Sequence, residues 1–267
     1  MVRQRQKFQR AFTLIELVLI IAIILMLAAI IYPVIAQAKQ QGYMSTALSQ
    51  MKQLSTAVQL YTQDTDGKLV PSTNYGVRES EPGRIWAPLL RTYAGADRIF
   101  VAPNSEGKFA HNWIERSFMT VGMNSASAFD KKGCKEQAGK DHTGCRAFTE
   151  VTSFETSDKP ASVPLFTLTP GGQLSDKYLG YEFNPYNGVP SRQKDQLKTS
   201  PPLVSDRDLV KELKSLPAEL IKPVYARYLS TGNDEGFAPV IFADGSAKSY
   251  PAKHLQSPGA GIYWRFK

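Results

Sequence analysis

Ala11-Phe12-Thr13-Leu14-Ile15-Glu16-Leu17 lies between a basic leader and a long uncharged run, and its reading decides the fold. The leader holds Arg3, Arg5, Lys7 and Arg10. From Leu17 to Ala36 no side chain carries a charge, and about twenty such residues suffice to cross a bilayer core as a helix. Glu16 therefore stands at the entrance of a membrane span. A carboxylate costs about 2.5–3.5 kcal/mol at the centre of such a helix, less toward its end, so it calls for a partner. Basic residues on the N-terminal side put that end in the cytoplasm and the bulk of the chain outside.

Three plainer readings compete for this end. A secretory signal has a basic head, an apolar stretch of about 7–15 residues and a small-x-small cut. Ala36-Gln37-Ala38 supplies such a cut, which would release a soluble protein starting at Lys39. The apolar run is long for that role, and Glu16 sits awkwardly ahead of it. An uncleaved anchor with no assembly role is the second. A buried core helix is the third, and a run apolar on every side argues against it.

The apolar segment grades into an amphipathic one. Met44, Leu48, Met51, Leu54, Val58 and Tyr61 recur at three- and four-residue steps, the spacing of one helix face. The two halves read as one helix of roughly fifty residues, about 75 Å at 1.5 Å per residue. Pro33 and Gly42 are its weak points, since proline removes one ladder bond and favours a kink. Gly67, after Asp64-Thr65-Asp66, is the expected stop. Asp64-x-Asp66-Gly67 also looks like half a calcium loop, but the later oxygen ligands are missing in register.

The N-terminal stretch resembles the type III signal of the type IV pilin and type II secretion pseudopilin superfamily. That resemblance rests on the basic leader, Phe12-Thr13-Leu14-Ile15-Glu16 and the span behind it. It implies that prepilin peptidase cuts between Ala11 and Phe12 and methylates the new amine of Phe12. Ala11 takes the place of the family's usual glycine. Glu16 becomes the fifth mature residue, and its carboxylate pairs with the methylated Phe12 amine of a neighbouring subunit. Pro33 matches a proline common in pilin helices. The implied partners are the peptidase, neighbouring pilin-like subunits, an inner-membrane assembly platform and a cytoplasmic ATPase. The implied fold is α+β and pilin-like: a long N-terminal helix whose second half packs on a globular domain with a small antiparallel sheet. The expected divisions are a leader at 1–11, a long helix at 12–66 with its transmembrane half at 17–36, and an extracytoplasmic head at 67–267. The expected location is the bacterial inner membrane, single-pass, with the head in the periplasm or outside.

The head reads as one modest domain of about two hundred residues. Aromatic content of 10% and 17 prolines indicate a packed core broken by turns. The formal charge of +8 falls to +4 once the four basic leader residues are removed, so basicity argues for solubility more than for nucleic acid. Cys134 and Cys145 lie close together. Outside the cytoplasm a disulfide is the natural reading, closing a loop of about ten residues and adding roughly 2–3 kcal/mol on the loop-entropy model. Free thiols remain open. So does a metal site with His142, although a structural zinc needs four ligands.

Later elements are shorter. Ile85 to Tyr93 suits a short helix, and Val163 to Leu168 and Tyr178 to Phe183 suit strands. Asp206 to Leu216 reads as a helix capped by Ser205. Asn184 to Pro190 and Ser200 to Pro202 read as loops. Pro239 to Ala243, Asp244-Gly245 and Ala247 to Tyr250 form the clearest hairpin, with an expected type I′ turn. The stretch Val240 to Lys248 is similar to the last hairpin of large-headed bacterial pilin-like proteins. Those carry a His where this chain has Asp234, and a Cys where it has Ala102 before Pro103.

No catalytic constellation, cofactor motif or metal set stands out. His111, His142 and His254 are scattered, and there is no phosphate-binding glycine loop, metalloprotease helix or nucleophile elbow. Asn233-Asp234-Glu235 with Asp244 is a conceivable calcium cluster, with a solvated loop the simpler reading. The function expected is filament assembly rather than catalysis. A type II secretion pseudopilus comes first and a type IV pilus for adhesion, motility or DNA uptake second. Behind these stand a tethered binding or adhesive protein and a tethered enzyme.

Overall fold

A computed structural model describes residues 13–74, 76–124, 159–171, 180–183, 203–204, 224–231, 235–256 and 261–262. Helix α1 runs Leu14–Asp64 with Pro33 inside it, so the single expected helix is present. The chain divides into two compact units, Met1–Gln41 and Gly42–Lys267.

In the first unit every large apolar side chain from Leu14 to Ile35 is exposed, Leu14 at 81% and Tyr32 at 80%. This stretch is rich in isoleucine, which favours strands in water. An apolar surrounding reverses that preference, because a lone segment there satisfies its backbone groups only as a helix.

In the second unit α1 buries Ala47, Met51, Leu54, Ser55, Ala57, Val58 and Thr62. The expected stripe is therefore right at Met51, Leu54 and Val58, while Met44, Leu48 and Tyr61 are only half-buried. The buried face is broader and includes small residues. Ser55 explains part of this: its hydroxyl donates to the Gly245 carbonyl at 2.6 Å, so a hairpin tip approaches the helix closely. Buried Thr62 satisfies its hydroxyl on the Val58 carbonyl at 2.8 Å. The helix stops as expected. Asp66 and Gly67 take φ of 55° and 81°, and the Gly67 N–H reaches back to the Thr62 carbonyl at 2.8 Å, the six-to-one bond of a left-handed helix end.

Helix α2 spans Trp86–Ala94 and ends at Gly95, whose N–H caps the Arg91 carbonyl. Trp86, Ala87 and Leu90 are buried on its inner face. The Trp86 indole donates to the Tyr181 carbonyl at 2.6 Å, and its ring meets Phe166 edge-on with centroids 4.7 Å apart. Phe100 joins this cluster and packs on Phe109 at 5.0 Å.

The strands are β1 (Val121–Asn124), β2 (Pro164–Leu168), β3 (Glu182–Phe183), β4 (Leu203–Val204), β5 (Val224–Tyr225), β6 (Tyr228–Thr231), β7 (Glu235–Phe242) and β8 (Ala247–Pro251), followed by α3 (Ala252–Gln256). β1 pairs antiparallel with β2, β2 with β7, and β7 with both β6 and β8. This is the expected small antiparallel sheet, with one parallel edge where β3 runs beside β1. A separate two-stranded ladder, β4 with β5, is also parallel. Of the expected Tyr178–Phe183 strand, Glu182 and Phe183 are paired.

The β7–β8 hairpin is in the expected place with a different turn. Type I′ requires positive φ at both central residues, and here Gly245 alone is positive, at 81°. The Gly245 N–H donates to the Phe242 carbonyl at 2.9 Å, and the Phe242 N–H to the Ser246 carbonyl at 2.8 Å. This is a three-residue loop closed by a glycine bulge. A Cβ on Gly245 would run into the Gln59 amide of α1, so the glycine is required by space as well as by dihedral.

Ala11, Phe12, Cys134, Cys145, His142, Asn233, Asp234, the expected helix at 206–216 and the expected loops at 184–190 and 200–202 lie outside the described residues.

Candidate functional site

Glu16 sits in the first turn of α1. Its side chain folds back onto Thr13, the residue just before the helix. Glu16 Oε2 accepts the Thr13 N–H at 3.2 Å and the Thr13 hydroxyl at 3.0 Å. The Glu16 N–H donates to Thr13 Oγ1 at 3.3 Å, and the Leu17 N–H to the Thr13 carbonyl at 3.2 Å. Thr13-x-x-Glu16 is thus a reciprocal capping box. It satisfies helix-end donors that hydrocarbon would leave stranded, and it puts the carboxylate at the positive end of the helix dipole.

Sequence reading gave Glu16 its place but missed Thr13 as its partner. The signature was visible, since a Thr followed three residues later by Glu before an apolar run is a helix-start pattern. Phe12 immediately precedes Thr13 in the sequence. An amine created at Phe12 would therefore be covalently adjacent to the residue that already holds the Glu16 carboxylate.

His111 and His254, set aside as catalytic candidates, have other partners among the described residues. His111 engages Glu115, whose Oε2 accepts the His111 N–H at 2.9 Å and stands 3.0 Å from ring Nδ1. That backbone N–H is the main cause holding the Glu115 carboxyl below the usual carboxylate range. His254 lies in α3 with its ring 6.3 Å from that of Tyr250. Among the described residues no three His, Cys, Asp or Glu side chains cluster as a metal would need. Ala102, before Pro103, is buried and gives its N–H to the Thr120 hydroxyl at 2.8 Å.

The sequence profile of the prokaryotic N-terminal methylation motif matches residues 6–32. The chain carries a prepilin-type signal. That motif implies processing by prepilin peptidase and assembly with other pilin subunits, and it supports a type IV pilin-like or pseudopilin subunit. The match takes in Thr13, Glu16 and most of the exposed apolar half of α1, which is long and apolar enough to serve as a single-pass anchor. Comparison with curated proteins and with solved structures found no match.

Proposed function

We propose that this chain is a structural subunit of a type II secretion pseudopilus. Prepilin peptidase removes residues 1–11, methylates Phe12, and leaves α1 anchored in the inner membrane with residues 67–267 in the periplasm. An assembly platform and a cytoplasmic ATPase then draw the helix into a filament, a head-to-tail interface that propagates without closing. Glu16 meets the Phe12 amine of the adjoining copy. Two opposite charges that find each other in a low-dielectric core set register more than they add net stability.

One observation carries this reading. The matched motif coincides with a capped carboxylate at the start of a helix whose large apolar side chains, from Leu14 to Ile35, are exposed. Cys134 and Cys145 lie in mid-chain. In the oxidising periplasm these two cysteines form a disulfide.

The test is mass spectrometry of the mature N-terminus from the native host, with imaging of sheared surface material. Methylated Phe12 and short filaments that need a secretion ATPase are expected. A chain that keeps its leader, or begins at Lys39, defeats the proposal. Long surface fibres that depend on a twitching ATPase turn it to the pilus alternative.

A further inference from the structure

The Gly42–Lys267 unit carries an unusual arrangement of charge at the far end of α1. The helix closes on Asp64 and Asp66, both exposed, with no basic residue in its last turn. Carboxylates there face the negative end of the helix dipole, an unfavourable placement. Among the described residues neither aspartate belongs to an ion pair; those pairs are Arg78–Glu81, Arg91–Asp97 and His111–Glu115. The Tyr93 hydroxyl beside Asp64 is held above its ordinary range by that carboxylate, which is hydrogen bonding rather than neutralisation.

A cleft of about 760 Å³ shows the opposite imbalance. Gln50 of α1, Arg98, Lys108, Phe109 and Phe118 are among its lining residues. Its two carboxylates are already engaged, Asp97 by a cation and Glu115 by hydrogen bonds alone. Asp97 lies 2.6 Å from the Arg91 guanidinium, and Glu115 is held by His111. Its two lysine and arginine cations are not: Arg98 and Lys108 are exposed and stand in no ion pair among the described residues. The position of Arg98 is fixed, because its carbonyl accepts the Gln50 side-chain N–H at 3.0 Å. The Lys108 ammonium lies over the Phe118 ring, 5.9 Å from its centroid.

We infer that these two features are the halves of a contact between successive copies of this chain, the Asp64–Asp66 end of one head seating in the Arg98–Lys108 cleft of the next. The cleft touches α1 at Gln50, near the start of its packed half. The aspartates lie about 21 Å further along the axis at 1.5 Å per residue. Two different patches set apart along α1 can meet head to tail, which is the heterologous geometry of a filament. With the helices parallel, copies in contact are displaced by about that distance. Each half brings charge opposite in sign to what the other leaves exposed, so wrong registers suffer like-charge repulsion. The inference rests on the assembly reading above and adds a head contact to it.

The experiment is a charge swap in the full chain, read by filament yield and by the mass of the N-terminus. D64K with D66N is one variant, R98E with K108E the second, and all four changes together the third. Asn at position 66 keeps a residue that tolerates the left-handed φ there. Each of the first two variants is expected to lower filament yield about ten-fold, with Phe12 still trimmed and methylated, and the combination to restore most of it. Rescue separates lost contact from misfolding, since two folding defects add rather than cancel. Wild-type yield from both partial variants, or a combination no better than either, overturns the head contact while leaving the assembly reading intact. A wild-type chain that is trimmed but never polymerises removes the assembly reading itself, and the contact with it.

Discussion

Substituting Thr13 by Val and Glu16 by Gln separates two roles that the N-terminal carboxylate combines. Valine keeps the shape of threonine and deletes the hydroxyl, so the Glu16 N–H loses its acceptor and Glu16 Oε2 loses one of its two donors. The Thr13 backbone N–H remains bound to the carboxylate. Losing a capping hydroxyl costs about 1 kcal/mol, roughly a five-fold shift in an equilibrium that needs the first turn intact. Glutamine at position 16 keeps an oxygen able to accept from Thr13 but removes the charge. A pair of unit charges 4 Å apart at an effective dielectric of 20 is worth about 4 kcal/mol before desolvation is counted. The charge change should therefore outweigh the cap change. The assay is the amount of each processed variant recovered in filaments against that left in the membrane, with insertion confirmed by fractionation. Glu16→Gln should lose most filament and Thr13→Val only part. Should Glu16→Gln assemble like wild type while Thr13→Val does not, the carboxylate serves only as a helix cap and the proposed charge pairing is wrong.

Gly245→Ala should destabilise the head by about 1–2 kcal/mol, because it adds a Cβ where φ is positive and the Gln59 amide is in the way; a thermal melt unchanged from wild type would refute that. Trp86→Ala removes a buried ring and its bond to the Tyr181 carbonyl, with an expected loss of about 3–5 kcal/mol in denaturant unfolding. Tyr228 is buried and its phenol is pushed well above its ordinary value by desolvation. Its folded pKa exceeds its unfolded one, so its contribution is complete below about pH 10 and is lost as pH climbs beyond that. Tyr228→Phe should therefore flatten the alkaline fall in stability, without abolishing it, since Tyr61 and Tyr93 are shifted in the same direction. At neutral pH the same change should cost about 1 kcal/mol for the lost bond to the Pro103 carbonyl.

What the sequence made legible was local. The length and stop of α1, the short helix at Trp86 and the strand pair around Asp244 all follow from periodicity and from glycine placed after a polar turn. Three features escaped. The turn type depends on how Gly245 meets Gln59 and Ser55, residues far away in the chain. The same approach draws Ser55 into the buried face of α1, which a search for large apolar side chains does not register. The parallel placing of β3 beside β1 is non-local, and a two-residue strand carries too little pattern to show it. At the candidate site the charge of Glu16 was conspicuous, whereas Thr13, a small and common residue, became meaningful only once its hydroxyl was seen bonded to the acid.

The Thr13–Glu16 cap has a consequence for how such a chain can wait. An acid already furnished with donors by its own backbone is not stranded while it is alone in lipid, so a population of idle subunits can be stored without each one demanding an immediate mate. In the assembly proposed above, an amine arriving from another copy would exchange with donors the acid already has.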